Sequence, residues 1–130
     1  MGNISSLKIS ASALAAQRTR LDVIARNIAN AEVTRTPSGG PYVRQQVVFQ
    51  ALPEGGVAVA EVRPDPTPPR RVYDPGHPDA DPEGYVALPN VNTVEEMVDL
   101  MVATRAYEAN VTAMQAAKGM IRKALELGRA

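Results

Sequence analysis

The residues best suited to chemistry lie together around the chain's single histidine. His77 stands among three aspartates, Asp74, Asp79 and Asp81, and one imidazole with several carboxylates is a ligand set that can bind a metal ion. A structural zinc site usually needs four ligands at defined spacing, and softer ones than these. Proline and glycine alternate with the acids, which favours a solvated turn whose backbone Asp and Pro set. We therefore predict no metal and no cofactor, with a metal-dependent enzyme centred on His77 as the competing hypothesis.

The remaining candidates for catalysis are weaker. Glu95 and Glu96 are adjacent acids, but they fall in the first turn of a predicted helix, where the helix dipole stabilises negative charge. The sequence contains no cysteine, and His77 has no partner serine arranged as a nucleophile. No glycine-rich phosphate loop follows a predicted strand. We predict no catalytic residues and a chain that is not an enzyme.

Composition excludes further classes of protein. Fourteen basic and fourteen acidic residues give a formal net charge of zero, whereas nucleic-acid binding usually shows a basic excess. No run of eighteen apolar residues is present, so no membrane span is predicted. The first sixteen residues carry one lysine and no apolar core followed by a cleavage site, so we expect no cleaved signal.

The sequence predicts two long helices, one near each end of the chain, and any functional surface must be positioned by them. Apolar residues recur every seven positions near both ends, and this spacing predicts helices with one face buried against a partner. The first helix is expected from about Ser5 or Ser6, either of which could cap it, to about Ala31. The second is expected to begin after Pro89 and to hold about 35 residues, capped by a Thr93–Glu96 capping box or by Asn92. The repeated residues are Leu7, Leu14, Leu21 and Ile28 in the first helix, and Leu100, Tyr107, Met114 and Ile121 in the second.

The middle of the chain has a different character. All eleven prolines lie between Pro37 and Pro89, which forbids a long helix there. Residues 42–52 and 57–62 read as two strands joined by a Gly-Gly turn, which predicts a hairpin. Short strands are expected at residues 72–73 and 85–88.

Together these patterns predict a mainly α fold with a small β region. The terminal helices, residues 1–31 and 92–130, are expected to pair as an antiparallel coiled coil and form an assembly domain. Residues 32–91 would form a proline-rich β-hairpin and extended middle domain.

Asn27 and Asn30 allow two interpretations. Asparagine disfavours helix interiors because its side chain competes for backbone hydrogen bonds, so the pair could end the first helix. Alternatively, they could fix the register between packed helices, as a buried asparagine does in coiled coils. The sequence alone leaves both open.

Several segments carry a recognisable combination of motifs. They are residues 17–31, with Asn27-Ile-Ala-Asn30 near their end, and residues 34–42, 72–81, 84–92, 95–98 and 103–111. In these segments the chain resembles the bacterial flagellar rod, hook and axial proteins, and the resemblance covers nearly the whole chain. The positions that match the family motif are Asn27, Asn30, Tyr42, Arg105, Tyr107 and Asn110.

The resemblance implies a structural subunit of the proximal rod of the flagellar basal body. Such subunits stack into a helical tube that joins the membrane-embedded ring to the distal rod and transmits torque. The implied partners are other proximal and distal rod subunits and the proteins at the junction of ring and export gate, with no nucleic acid and no small-molecule substrate. The implied location is the basal-body rod crossing the periplasm, reached through the flagellar type III export apparatus without a cleaved signal.

The predicted mechanism is side-by-side packing of apolar helical stripes between subunits, which needs a heterologous contact in order to propagate. The alternative is a homodimeric coiled-coil adaptor whose prolines 64–69 serve as a peptide ligand. The predicted assembly interface consists of Leu7, Leu14, Leu21, Ile24, Ile28, Met97, Leu100, Tyr107, Val111, Met114 and Ile121.

Overall fold

The structure, a computed structural model, describes residues 2–129, with side chains from Ser5 onward. Two long helices enclose four short strands, so the predicted mainly α fold with a small β region is confirmed. The elements in chain order are α1 (Gly2–Ala29), β1 (Gln45–Ala51), β2 (Val57–Pro64), β3 (Arg70–Tyr73), β4 (Tyr85–Leu88) and α2 (Thr93–Gly128).

The first helix begins earlier than its sequence predicts. It is already helical at Gly2, so the prediction that Ser5 or Ser6 caps it is wrong. No proline or glycine interrupts residues 3–29, and the alanine-rich sequence propagates the helix through both serines. The helix ends at Ala29, two residues before the predicted end.

The start of α2 is fixed by Asn92. Its side-chain oxygen accepts hydrogen bonds from the backbone N–H groups of Val94 and Glu95, at 3.1 and 3.3 Å. Of the two predicted caps, Asn92 is therefore confirmed and the Thr93–Glu96 capping box is wrong. With Asn92 as the N-cap, a capping-box glutamate would stand three residues later, and Glu96 stands four residues later. The side chain of Glu96 pairs with Arg44 instead.

The four strands form two separate antiparallel pairs. β1 pairs with β2 through a bulge between Val48 and Phe49, which confirms the predicted hairpin. Its turn contains Gly55 and Gly56, both at φ +96°, a conformation that side chains with a Cβ rarely adopt. β3 pairs with β4, so both predicted short strands are present.

The two helices pack against each other in antiparallel directions. Among the elements of residues 2–129, α2 contacts α1 alone, whereas α1 also supports β1 and β2. The early residues Ile9 and Ser10 of α1 share a groove with the late residues Ala117 and Met120 of α2. Eight of the twelve buried and half-buried residues of α2 recur at alternating steps of four and three, which places these eight on one face. They are Glu96, Leu100, Ala103, Tyr107, Asn110, Met114, Ala117 and Ile121.

The buried core is thin. Apart from Pro89, its fully covered apolar side chains are all alanine, valine or isoleucine, and none is aromatic or leucine among the described residues. A thin core covers only part of each helix, so α2 keeps a row of exposed apolar residues. The described residues contain no helix with the length and hydropathy that a membrane crossing requires. The covered side chains are Ala16, Val23, Ile24, Ala31, Val86, Val91, Ala103 and Ala117.

Candidate functional site

A cluster of charged and polar side chains joins the start of α2 to the middle of the chain. Arg44, just before β1, donates to the carboxylates of Glu96 and of Asp65, the latter at 3.0 Å. A third carboxylate, Asp99, lies 3.9 Å from the same guanidinium. The backbone N–H of Arg44 donates to the side-chain oxygen of Asn90 at 2.8 Å. One arginine therefore connects β1, the segment after β2, and the first two turns of α2. We call these five residues the polar junction.

Burial makes the Arg44–Glu96 pair the central contact of the polar junction. Glu96 is only 1% exposed, and its second carboxylate oxygen has no hydrogen-bond partner among the described residues. Burial, the largest influence, lowers the pKa of Arg44, but hydrogen bonding to and charge from Glu96 and Asp65 outweigh it and raise that pKa overall. Glu96 requires Arg44 in this pair, because without it the buried carboxylate would be an uncompensated charge.

The other members hold the segment after β2 in place. Asn90 donates from its amide to the backbone oxygens of Thr67 and Asp65, at 2.8 and 3.3 Å. The carboxylate of Asp65 accepts from the backbone N–H of Thr67 at 2.9 Å. That hydrogen bond is the main reason why the pKa of Asp65 is lowered, and Arg44 adds to the effect.

Asn27 anchors the chain that returns from α1 to β1. Its side-chain oxygen accepts from the Tyr42 hydroxyl at 2.7 Å and from the backbone N–H of Gln45 at 3.0 Å. Its amide donates to the backbone oxygen of Gln45 at 2.9 Å. Asn27 is 1% exposed, and burial is the main cause that raises the pKa of Tyr42. Neither sequence interpretation of Asn27 is correct, because it binds an incoming loop and not a packed helix.

Asn30 acts differently from Asn27. Its amide donates to the backbone oxygen of Arg26 at 2.8 Å, and its backbone N–H also reaches that oxygen at 3.1 Å. This is helix-ending chemistry, the first of the two interpretations. The two asparagines of the Asn27-Ile-Ala-Asn30 motif therefore have separate local roles.

The loop around His77 is built by hydrogen bonds. The ring Nδ1 of His77 accepts from the backbone N–H of Asp79 at 2.9 Å. The carboxylate of Asp79 accepts from the Thr34 hydroxyl at 2.7 Å and pairs with Arg35, and these contacts, the Thr34 bond first, lower its pKa. Within residues 2–129 no group of three or more His, Cys, Asp or Glu side chains is placed to hold a metal ion.

Asp81 closes the same loop onto β4. It accepts from the backbone N–H groups of Tyr85 and Glu83, at 2.8 and 3.0 Å, and pairs with Arg71 at 2.8 Å. The Tyr85 bond is the main reason why the pKa of Asp81 is lowered. The predicted turn, in which aspartates set the backbone, is confirmed by these bonds.

The exposed side of α2 carries a row of large apolar residues, which we call the ridge. These side chains are 52–70% exposed. Single exposed apolar residues are normal, but a contiguous row marks an interaction surface. The ridge consists of Val94, Met97, Val98, Met101 and Val102.

Most residues of the expected assembly interface lie within the helix pair. Ile24 is buried, Met97 belongs to the ridge, and the remaining nine are half-buried. Of the motif residues on α2, Arg105 is exposed, and Asn110 is half-buried with its amide donating to the Ala106 oxygen at 2.8 Å. The half-buried interface residues are Leu7, Leu14, Leu21, Ile28, Leu100, Tyr107, Val111, Met114 and Ile121.

Two family models match the two ends of the chain. Residues 7–35 match the "Flagella basal body rod protein" model, which covers most of α1 and the turn after it. Residues 83–127 match "Flagellar basal body rod FlgEFG protein C-terminal", which covers β4 and nearly all of α2.

Curated relatives match the chain over almost its full length, each under the name flagellar basal-body rod protein FlgC. The Salmonella typhimurium protein is 47% identical over 99% of this chain and 100% of its own length. The Borreliella burgdorferi protein is 46% identical over 98% of both chains. The Bacillus subtilis protein is 46% identical over 95% of this chain and 97% of its own. At this identity and coverage, the chain belongs to the FlgC family of flagellar basal-body rod proteins.

Proposed function

We propose that the chain is a structural, non-enzymatic subunit of the flagellar basal-body rod. The observation that carries this is identity of 46–47% to relatives named as flagellar basal-body rod proteins, along almost the entire length of both partners. The structure supports the proposal through the ridge, because a contiguous exposed apolar row on a helix is typical of a surface that another protein covers.

Within the rod, we place the subunit in the proximal segment of a helical tube that transmits torque. Its helices would supply stiffness, since 28 and 36 residues correspond to about 42 and 54 Å of continuous helix. The alternating steps of three and four in the α2 contact face support coiled-coil packing of the terminal helices. Residues 1–31 and 92–130 would form the assembly domain, with residues 32–91 packed beside it.

The proposed partners are neighbouring rod subunits and the proteins at the junction of ring and export gate. The relatives' shared name supports a basal-body location for this chain. We further propose passage through the type III export apparatus without signal cleavage, which would place the rod across the periplasm.

The expected interface residues divide into two groups by their exposure. The ten buried or half-buried ones would act mainly by holding α1 to α2, while Met97 with the rest of the ridge would meet a neighbouring subunit. This division gives different expectations for substitutions in the two groups.

Complementation tests the proposal directly. A Bacillus subtilis strain that lacks its own FlgC relative would be supplied with this chain, or with the chain bearing substitutions chosen to match that strain at its contact surfaces. We expect restored swimming and this chain in the rods of isolated basal bodies. Expression and export without incorporation into any rod would contradict the proposal.

Three substitutions then separate the two groups of residues. Leu21→Asp and Met114→Asp place a charge in the helix pair, so both should lower stability by several kcal/mol and abolish swimming. Met101→Asp changes an exposed side chain, so the monomer should keep its stability to within about 0.5 kcal/mol while swimming is lost. Val72→Asp, at an exposed position of β3, is the control and should swim.

A further inference from the structure

We propose that copies of this chain join head to tail, with the ridge of one copy seated in the groove between the helices of the next. This deepens the proposed function, on which it rests, by naming the two surfaces that meet and by making the partner a second copy of the same chain.

The groove lies at the end of the helix pair opposite the polar junction. It is formed by Ile9 and Ser10 of α1 with Ala113, Ala116, Ala117 and Met120 of α2, and its volume is about 420 Å³. Four of these six residues are alanine or serine, which lets another helix approach closely, and the larger Ile9 and Met120 are exposed beside them. We use the name groove for this site.

The ridge has the complementary shape. Where the groove presents alanine and serine, the ridge presents only valine and methionine, so large side chains meet space left by small ones. The two also match in length, because residues 94–102 rise about 12 Å and residues 113–120 about 10 Å at 1.5 Å per residue.

The directions of the two surfaces favour an open chain of copies over a closed dimer. At about 100° per residue, the centre of the ridge lies roughly 80° around α2 from the centre of the groove. One partner helix therefore cannot fill the groove and cover the ridge of the same molecule. Each copy instead has two different neighbours, which is the heterologous arrangement that propagates.

Charge favours the same pairing. Residues 93–102, which carry the ridge, contain three acids, and Arg44 faces two of them, Glu96 and Asp99. The third acid, Glu95, has no base within residues 93–102, while residues 113–129, which carry the groove, contain four bases and one acid. Glu95 flanks the ridge, and Lys123 lies one turn beyond Met120 at the groove. Opposite charges at the two ends draw the start of one α2 towards the end of the next and repel like ends. With parallel α2 helices, matching Val98 to Ala116 sets a stagger of about 27 Å between copies.

Cysteine cross-linking tests the contact, since the natural chain has no cysteine. The purified full chain with Met97→Cys and Ala116→Cys would be treated at high concentration with a short bis-maleimide. We expect a ladder of dimers, trimers and higher species on a denaturing gel. A mixture of the two single variants should stop at dimers, because each copy then has one reactive surface.

The control pairs Val72→Cys, exposed on β3, with Ala116→Cys and should give no ladder. Met97→Cys alone forming dimers would place ridge against ridge and overturn the proposal. A double variant that remains monomeric under the same treatment also overturns it.

Charge reversal provides a second arm. Glu95→Lys and Lys123→Glu should each weaken self-association, measured by sedimentation, by several-fold, because each change reduces the opposite net charges of the two ends. Unchanged self-association in both variants would contradict the pairing. Restored swimming in complemented cells without any cross-linked ladder would leave the rod function standing and remove only this contact.

Discussion

At the residue scale, two arginines contribute unequally to the stability of the fold, because one pairs with a buried carboxylate and the other with an exposed one. Arg44 faces a glutamate that is 1% exposed, whereas Arg63 lies 3.5 Å from Glu61 with both side chains 55% exposed. Water and salt screen the second pair much more than the first. The same interaction, arginine to carboxylate, therefore has different consequences at the two positions.

Arg44→Ala should destabilise the chain by about 3–5 kcal/mol, because Glu96 would remain buried without a partner. Arg63→Ala, the matched control, should cost less than about 1 kcal/mol. Urea unfolding followed by circular dichroism measures both values. Equal effects of the two substitutions would show that burial does not separate them.

Asn27→Ala should cost about 2–3 kcal/mol, because it leaves the Tyr42 hydroxyl and both backbone groups of Gln45 without their buried partner. Asn30→Ala, which loses one side-chain bond to a helix end, should cost about 1 kcal/mol or less. In a double-mutant cycle, Asn27→Ala and Tyr42→Phe should be non-additive by at least about 0.5 kcal/mol. Strict additivity would argue that the two side chains act independently.

Acid should weaken the fold through its bonded aspartates. The pKa of Asp65 is lowered below 3.8 in the folded chain, chiefly by the Thr67 N–H, so its stabilising contribution is complete above the unfolded value of about 4. That contribution is lost as the pH falls from there through the lowered folded pKa, and Asp79 and Asp81 act in the same direction. Asp65→Asn should therefore flatten the fall of the urea midpoint below about pH 4. A slope identical to that of the unchanged chain would exclude this role.

At the element scale, the β1–β2 hairpin docks on α1 through its turn. The Ser12 hydroxyl donates to the Ile9 backbone oxygen at 2.7 Å and accepts from the Val57 N–H at 3.1 Å. Gly56 lies so close that an added Cβ would stand 2.6 Å from the Ser12 oxygen. The turn glycine therefore serves two needs, a positive φ and close packing on a helix.

Alanine substitutions at Gly56 and Gly40 distinguish the cost of a positive φ from the cost of close packing. Gly56→Ala and Gly40→Ala both place a Cβ at positive φ, but only Gly56 meets another residue within 4 Å. Both should cost about 1 kcal/mol for the backbone, and Gly56→Ala should cost a further 1–3 kcal/mol for overpacking. Thermal unfolding measures the difference, and equal losses would mean that Ser12 moves aside freely.

At the scale of the whole molecule, order should decline along the helix pair. The polar junction and the buried Val23, Ile24 and Asn27 lie at one end, while most α2 side chains beyond Ala117 are exposed. Few buried contacts give low local stability, so the end with the groove should open first. That end would become ordered when a neighbour fills it.

Hydrogen exchange on dilute monomer checks this gradient. Amides of residues 20–29 and 96–107 should be protected most, and those of residues 5–12 and 115–127 least. Arg44→Ala should reduce protection at the junction end. Uniform strong protection along both helices of a verified monomer would contradict the gradient.

The sequence alone determined the elements. Seven-residue apolar spacing identified both helices, and Gly-Gly between two β-rich runs identified the hairpin, because these signals depend on neighbours close along the chain. The same local chemistry predicted Asn92 as one of two caps and helix ending as one of two roles for Asn30, and the structure selects these alternatives. Short-range patterns also carried the resemblance that the relatives confirm.

Only the tertiary structure decided what holds those elements together. Glu96 looked like a helix-dipole acid, and nothing local pairs it with Arg44, which is 52 residues away. Asn27 likewise meets Tyr42 and Gln45 across a loop whose path no local spacing specifies. The sequence alone also does not distinguish the exposed ridge from the covered face of α2, because both carry apolar residues at helical spacing. The face of α2 that α1 covers depends on where the middle segment, residues 32–91, brings α2 back to α1. That placement is set by the tertiary structure.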